Sequence, residues 1–147
     1  MRTNLSFSDL AALAAVLFPL ACGGSTLPSA TEPLSGSGLV YSLASVENKA
    51  LPATVALTPD VNVLVERGKL TLSPDSTWIM SHVVSTSPTG GSGTSVVTLR
   101  GSYRRAGTAI SLSQQSVEAF VGTFSETAVS LTNKTTQMAG TSFSYTR

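Results

Sequence analysis

The 147-residue chain carries nine Lys and Arg against eight Asp and Glu, a formal net charge of +1, and its basic residues are scattered. That leaves no electrostatic footprint for nucleic acid, which takes clustered positive charge. Charged residues make up only 12% of the chain, with Ser, Thr and Gly in their place, and the single Cys22 excludes an internal disulfide, so a packed core must supply the stability.

In chain order, Met1-Arg2 and a short polar run through Asp9 precede an apolar stretch from Leu10 to Leu20. This is the three-part layout of a secretory signal peptide, expected as a helix and too short to span a bilayer, which takes ~20 apolar residues. Next come Pro19-Leu20-Ala21-Cys22-Gly23-Gly24. Ala21-Cys22-Gly23 resembles the lipobox of bacterial lipoproteins, in which the cysteine thiol receives a diacylglyceryl group and becomes an acylated N-terminus. Pro19 stands where that family prefers Leu. The resemblance implies a signal peptide over residues 1–21, lipidation at Cys22 and a membrane partner reached through the N-terminal lipid. Gly23, where inner-membrane lipoproteins of enteric bacteria often carry Asp, implies the outer membrane of the cell envelope. The alternative is ordinary secretion, with cleavage after Gly23 and Cys22 discarded.

Residues 22–37 contain a Gly-, Ser- and Pro-rich run without hydrophobic periodicity, which reads as a disordered tether. It would reach ~50 Å at most. The folded body is expected over residues 38–147. There, short runs rich in Val, Leu, Ile, Thr and aromatics alternate with Gly, Pro, Asp and Asn, and no helical period exceeds two turns. The pattern predicts an all-β domain with strands at Leu39–Val46, Ala53–Leu57, Val61–Ser73 with a break near Arg67-Gly68, Thr77–Val84, Ser95–Arg104, Thr108–Ser113, Val117–Phe124, Thr127–Thr132 and Thr141–Thr146. The Gly-rich Ser85–Thr94 segment is expected as a mobile loop.

Loop parity fixes which side chains share a face. The three-residue loop Pro74-Asp75-Ser76 sets Leu72 opposite Trp78 and Leu70 opposite Met80, and demands a positive φ at Ser76. An even loop around Arg105-Ala106-Gly107 keeps Gly101, Tyr103, Ile110 and Leu112 on one side. A two-residue Ser125-Glu126 turn would pair Phe120 with Leu131 and Gly122 with Val129. Each hairpin then has one apolar face, and a meander of this length hides that face and its edges by closing.

The stretches Tyr41-Ser42-Leu43-Ala44-Ser45-Val46, Gly68-Lys69-Leu70-Thr71-Leu72-Ser73-Pro74-Asp75-Ser76-Thr77-Trp78, Gly101-Ser102-Tyr103, Ala109-Ile110-Ser111-Leu112 and Phe143-Ser144-Tyr145-Thr146-Arg147 resemble a small lipocalin-like domain of bacterial lipoproteins. The resemblance implies an antiparallel up-and-down meander closing into a small eight- or nine-stranded lipocalin-like barrel. Lipocalins usually carry Gly-X-Trp on the first strand; here Val40 takes the Trp position.

Chemistry-bearing motifs are sparse. His82 is the sole histidine and follows Trp78 and Met80 at strand spacing, so it is expected on their face, as a structural group rather than a catalyst. The carboxylates are dispersed or sit in turns, which predicts neither acid/base catalysis nor a metal or other cofactor. Asn133-Lys134-Thr135 matches the glycosylation sequon, which means little in the bacterial host that the lipobox resemblance implies. Three function classes follow. A binding module would line a cavity for a small apolar molecule with Tyr41, Trp78, Met80, Tyr103 and Phe143. A structural or protein-interaction module of the envelope, an inhibitor or assembly factor, would have a filled core. An enzyme would need a nucleophile and an acid beside His82, and is the least expected.

Overall fold

The computed structural model describes residues 37–58, 61–86, 93–136 and 138–147. The leader, Cys22 and nearly all of the tether lie outside the described residues. The strands are β1 (Leu39–Val46), β2 (Lys49–Ala50), β3 (Ala53–Thr58), β4 (Val61–Leu72), β5 (Thr77–Thr86), β6 (Gly93–Ala106), β7 (Ala109–Gln114), β8 (Val117–Phe124), β9 (Ala128–Asn133) and β10 (Ser142–Thr146). The meander is antiparallel throughout, and β1 pairs with β10 on one side and with the second half of β4 on the other. Eight strands therefore close into a barrel, with β3 added along the first half of β4 and the short β2 hooked onto β1. Closure pairs the barrel strands on both sides at the end that holds the β4–β5 turn, whereas residues 93–101 of β6 pair with β5 alone.

Strand alternation follows the hydrophobic pattern. Trp78, Met80 and His82 of β5 and Ile110 and Leu112 of β7 point inward and are buried. β4 runs unbroken where a break is expected near Arg67-Gly68. Its pairing with β5 skips Glu66, a β-bulge that reverses the alternation. Before it Val65 faces in; after it Gly68, Leu70 and Leu72 share the inner face. Ala44 of β1 and Ala119 of β8 occupy comparable irregularities.

The first hairpin has the expected register, Leu72 opposite Trp78 and Leu70 opposite Met80. Ser76 takes φ 65°, and Asp75 Oδ1 braces the turn by accepting from the Thr77 amide at 3.0 Å and from its hydroxyl at 2.6 Å. In the β6–β7 hairpin Tyr103 faces Leu112 across a turn in which Gly107 adopts φ 57°. The β8–β9 hairpin differs from expectation: Phe120 pairs with Asn133 rather than Leu131, and Gly122 with Leu131 rather than Val129. The reason is local. The Ser125 amide donates to the Ala128 carbonyl at 2.8 Å, and the Ser125 hydroxyl bonds to that residue's backbone, so the turn is Glu126-Thr127, one residue later. The slide is even, so the same faces stay inside. The expected Ser85–Thr94 loop is shorter too, since Ser85 pairs with Thr94 and Thr86 with Gly93.

One end of the barrel is closed. It gathers the β4–β5, β6–β7 and β8–β9 turns, and buried polar tips tie those turns to the wall. Tyr41 donates its hydroxyl to the Ser125 carbonyl at 3.0 Å, and Tyr103 donates to the Ser73 carbonyl at 2.8 Å. The Trp78 indole N–H reaches the Ser102 and Ser113 carbonyls at 3.0 and 3.2 Å. The Arg105 guanidinium lies 4.4 Å from the centre of the Phe124 ring, which meets Tyr41 edge-on. The other end is built differently.

Candidate functional site

At the opposite end, residues of strands β3 to β10 surround an open cavity of about 600 Å³. That lies within the ~300–1,000 Å³ usual for small-molecule pockets. Its walls are chiefly aliphatic, from Val55, Val65, Val84, Val97, Leu99 and Met138. Met80, His82, Phe120 and Phe143 supply the deeper surface, and Gln114, Asn133, Thr135 and Thr136 bring polar atoms to one side. No Asp, Glu, Lys or Arg lines it among the described residues. A second depression, of about 490 Å³, lies over the outer face of β6–β8, lined by Ser102, Arg104, Ser111, Ser113 and Glu118 among others. It is the more polar of the two and sits outside the barrel.

His82 defines the deep end. Its cross-strand partner is Gly68, and a Cβ there would stand 2.4 Å from His82 Cδ2, so the imidazole lies across space that glycine alone leaves open. The ring stacks on Phe143 with centroids 5.3 Å apart and an interplanar angle of 19°. Its Nε2 lies 2.7 Å from the Tyr145 hydroxyl. Tyr145 is fully buried, and its hydrogen must be donated. Nε2 is the hydrogen-bond partner of that hydroxyl among the described residues, so Nε2 accepts and the ring proton sits on Nδ1. Burial disfavours charge on both groups. It pulls the His82 pKa down to about 4 and pushes the Tyr145 phenol up, so both are neutral at physiological pH.

Asn133 ends β9 on the polar side. Its Oδ1 accepts from the Thr135 amide at 2.7 Å and the Thr135 hydroxyl at 2.8 Å. Because a backbone N–H can only donate, these bonds fix the amide orientation. The NH₂ group is left with no protein partner among the described residues, on a side chain 5% exposed. The sequence marks Asn133 only as the head of a sequon, and nothing in it joins His82 to Tyr145, 63 positions away.

Of the five residues expected around a ligand, Met80 and Phe143 stand in the cavity wall. Tyr41, Trp78 and Tyr103 do not; each is buried in the closed half with its polar atom bound to a turn or strand carbonyl. Val55, Val65, Phe120 and Asn133 line the cavity unanticipated. The signal for Val55 and Val65 was their apolar alternation along adjacent strands; the parity of Phe120 was legible, but its height in the barrel depends on the β8–β9 turn. The described residues contain no group of three or more His, Cys, Asp or Glu poised to hold a metal ion. No described helix is long and apolar enough to cross a membrane. Comparison of the chain with protein-family models, curated proteins and solved structures found no match.

Proposed function

We propose that the barrel binds a small apolar molecule in its open half, and that the chain works as a lipid-anchored lipoprotein of the cell envelope. The observation carrying the binding reading is the cavity itself: about 600 Å³, apolar, ringed by strands and open to solvent. A barrel core needing only stability would be filled by its own side chains, as the closed half is. The rigid strands supply a preformed wall, which lowers the cost of binding. The anchor reading rests on the leader and Ala21-Cys22-Gly23, and would hold the barrel near a source of apolar molecules.

Nile red, a neutral apolar dye, tests the binding reading. Its fluorescence should rise and saturate at one dye per chain, and Val97→Trp, which fills the mouth from a position already 43% exposed, should abolish the rise. No rise in the parent chain would refute the reading. For the anchor, a fatty-acid analogue should label the parent chain in bacteria and leave Cys22→Ser unlabelled; equal label in both would refute it.

A further inference from the structure

The polar groups around the apolar cavity are not a random scatter, and they narrow the chemistry of what fits. Two of them belong to side chains more than nine-tenths buried. Asn133, 5% exposed, has its oxygen committed to Thr135 and its NH₂ without a protein partner among the described residues. His82, 9% exposed, turns its Cδ2–Nε2 edge toward Gly68 and uses Nε2 to accept from Tyr145, which places an N–H at Nδ1 on the opposite edge. Both unused groups are donors. The acceptor each side chain owns is already bonded within the protein.

A chain of aromatic rings links the two side chains. His82 stacks on Phe143, Phe143 meets Phe120 edge-on with centroids 6.2 Å apart, and Phe120 is the cross-strand partner of Asn133. An apolar ligand that fills the cavity strips water from these donors, and a donor desolvated without an acceptor costs free energy, so a ligand that supplies an acceptor gains over one of equal size that does not. Charge is selected against at the same time. No ionisable residue other than His82 lines the cavity among the described residues, and His82 is neutral. An ionised carboxylate or ammonium group would be desolvated with no counter-charge.

Building on the apolar-ligand reading above, we infer that the cavity selects an uncharged, carbonyl-bearing apolar molecule, its oxygen accepting from Asn133 Nδ2 while its hydrocarbon part covers the valine-rich wall. Ketones, esters and quinone-type rings meet that description. Free fatty acids, alkylamines and plain alkanes each lack one element of it.

A matched set of twelve-carbon probes on the full chain tests this: 2-dodecanone, dodecane, dodecanoate and dodecylammonium at pH 7.5, each displacing Nile red. 2-Dodecanone should bind roughly three- to tenfold more tightly than dodecane, the order expected of one buried hydrogen bond, and both ions should bind more weakly than the ketone. Asn133→Ser keeps an oxygen for the Thr135 turn but removes the NH₂. It should lower the ketone's affinity toward that of dodecane and leave dodecane unchanged. Asn133→Thr, which also keeps an oxygen for the Thr135 turn and lacks the NH₂, provides the same comparison should the serine variant fold poorly. Equal affinity for ketone and alkane, or a preference for dodecanoate, would overturn the inference while leaving apolar binding intact. Failure of every probe and of Nile red would overturn both.

Discussion

Two aromatic rings on β5, four residues apart, each lie beside a glycine of a neighbouring strand and end in different states. Trp78 lies against Gly101 on β6, and His82 lies against Gly68 on β4. Gly68 yields its side-chain space to the imidazole, whereas at Gly101 the Ser113 carbonyl takes that space with the indole nitrogen beside it. The Trp78 N–H is satisfied by two carbonyls and its ring meets Phe120 edge-on, so the closed half is saturated. His82 has one nitrogen bonded to Tyr145 and faces the cavity with the remainder. One half of the barrel thus spends its side chains on itself, and the other leaves apolar area and hydrogen-bonding capacity uncovered. Stability should reside in the first and binding in the second.

The largest test of that division is Trp78→Ala. Removing a fully buried indole should lower unfolding free energy by ~3–5 kcal/mol. Val97→Ala, at the cavity mouth, should cost well under 1 kcal/mol, since its side chain is already half in water. Urea denaturation of both variants measures the contrast; equal losses would erase it.

Acid sharpens the comparison from the other side. The folded His82 pKa, about 4, lies below its unfolded value of 6.5, so the unfolded chain binds the proton first. This contribution to stability is complete above pH 6.5 and should fall by about 3 kcal/mol between pH 6.5 and pH 4. The Tyr145 hydroxyl would lose its acceptor as the ring protonates. His82→Phe, which keeps an aromatic ring on Phe143, should flatten the pH profile across that window; an unaltered slope would remove His82 as its cause.

The two glycines differ in what a methyl group would strike. At Gly101 it would stand 1.9 Å from the Ser113 carbonyl oxygen, a backbone atom, whereas at Gly68 the nearest atom is His82 Cδ2. Gly68→Ala should therefore cost ~1–3 kcal/mol, tilt the imidazole into the cavity and weaken Nile red binding. Gly101→Ala should cost more and leave dye affinity per folded molecule unchanged. The smallest effect is expected at the β7–β8 turn, where Gln115 and Ser116 both hold positive φ, at 50° and 67°. Replacing them with Asn-Gly should raise stability by ~0.5–1 kcal/mol.

The closed half was largely legible in the sequence because its determinants are local. Pro74-Asp75-Ser76 sets the register of Leu70, Leu72, Trp78 and Met80, and the loop near Gly107 sets that of Tyr103 and Leu112. The open half was legible only in part. His82 falls on the Trp78 face by simple alternation, but its meeting with Tyr145 depends on closure of β1 onto β4 and β10. The register of Phe120 turns on a Ser125 hydrogen bond that residue type does not announce. The large aromatics Tyr41, Trp78 and Tyr103 were natural candidates for a ligand wall, since strand periodicity gives the face of a residue and not its height along the barrel axis.

The most direct measurement is a methyl NMR titration with 2-dodecanone on protein labelled at Met and Leu methyl groups. The Met80 and Met138 signals, from the cavity wall and the residues packed beside it, should shift and saturate, while Leu72 and Leu112 in the closed half stay in place. Unmoved Met80 and Met138 signals, or shifts spread equally over both halves, would contradict a barrel that is filled at one end and receptive at the other.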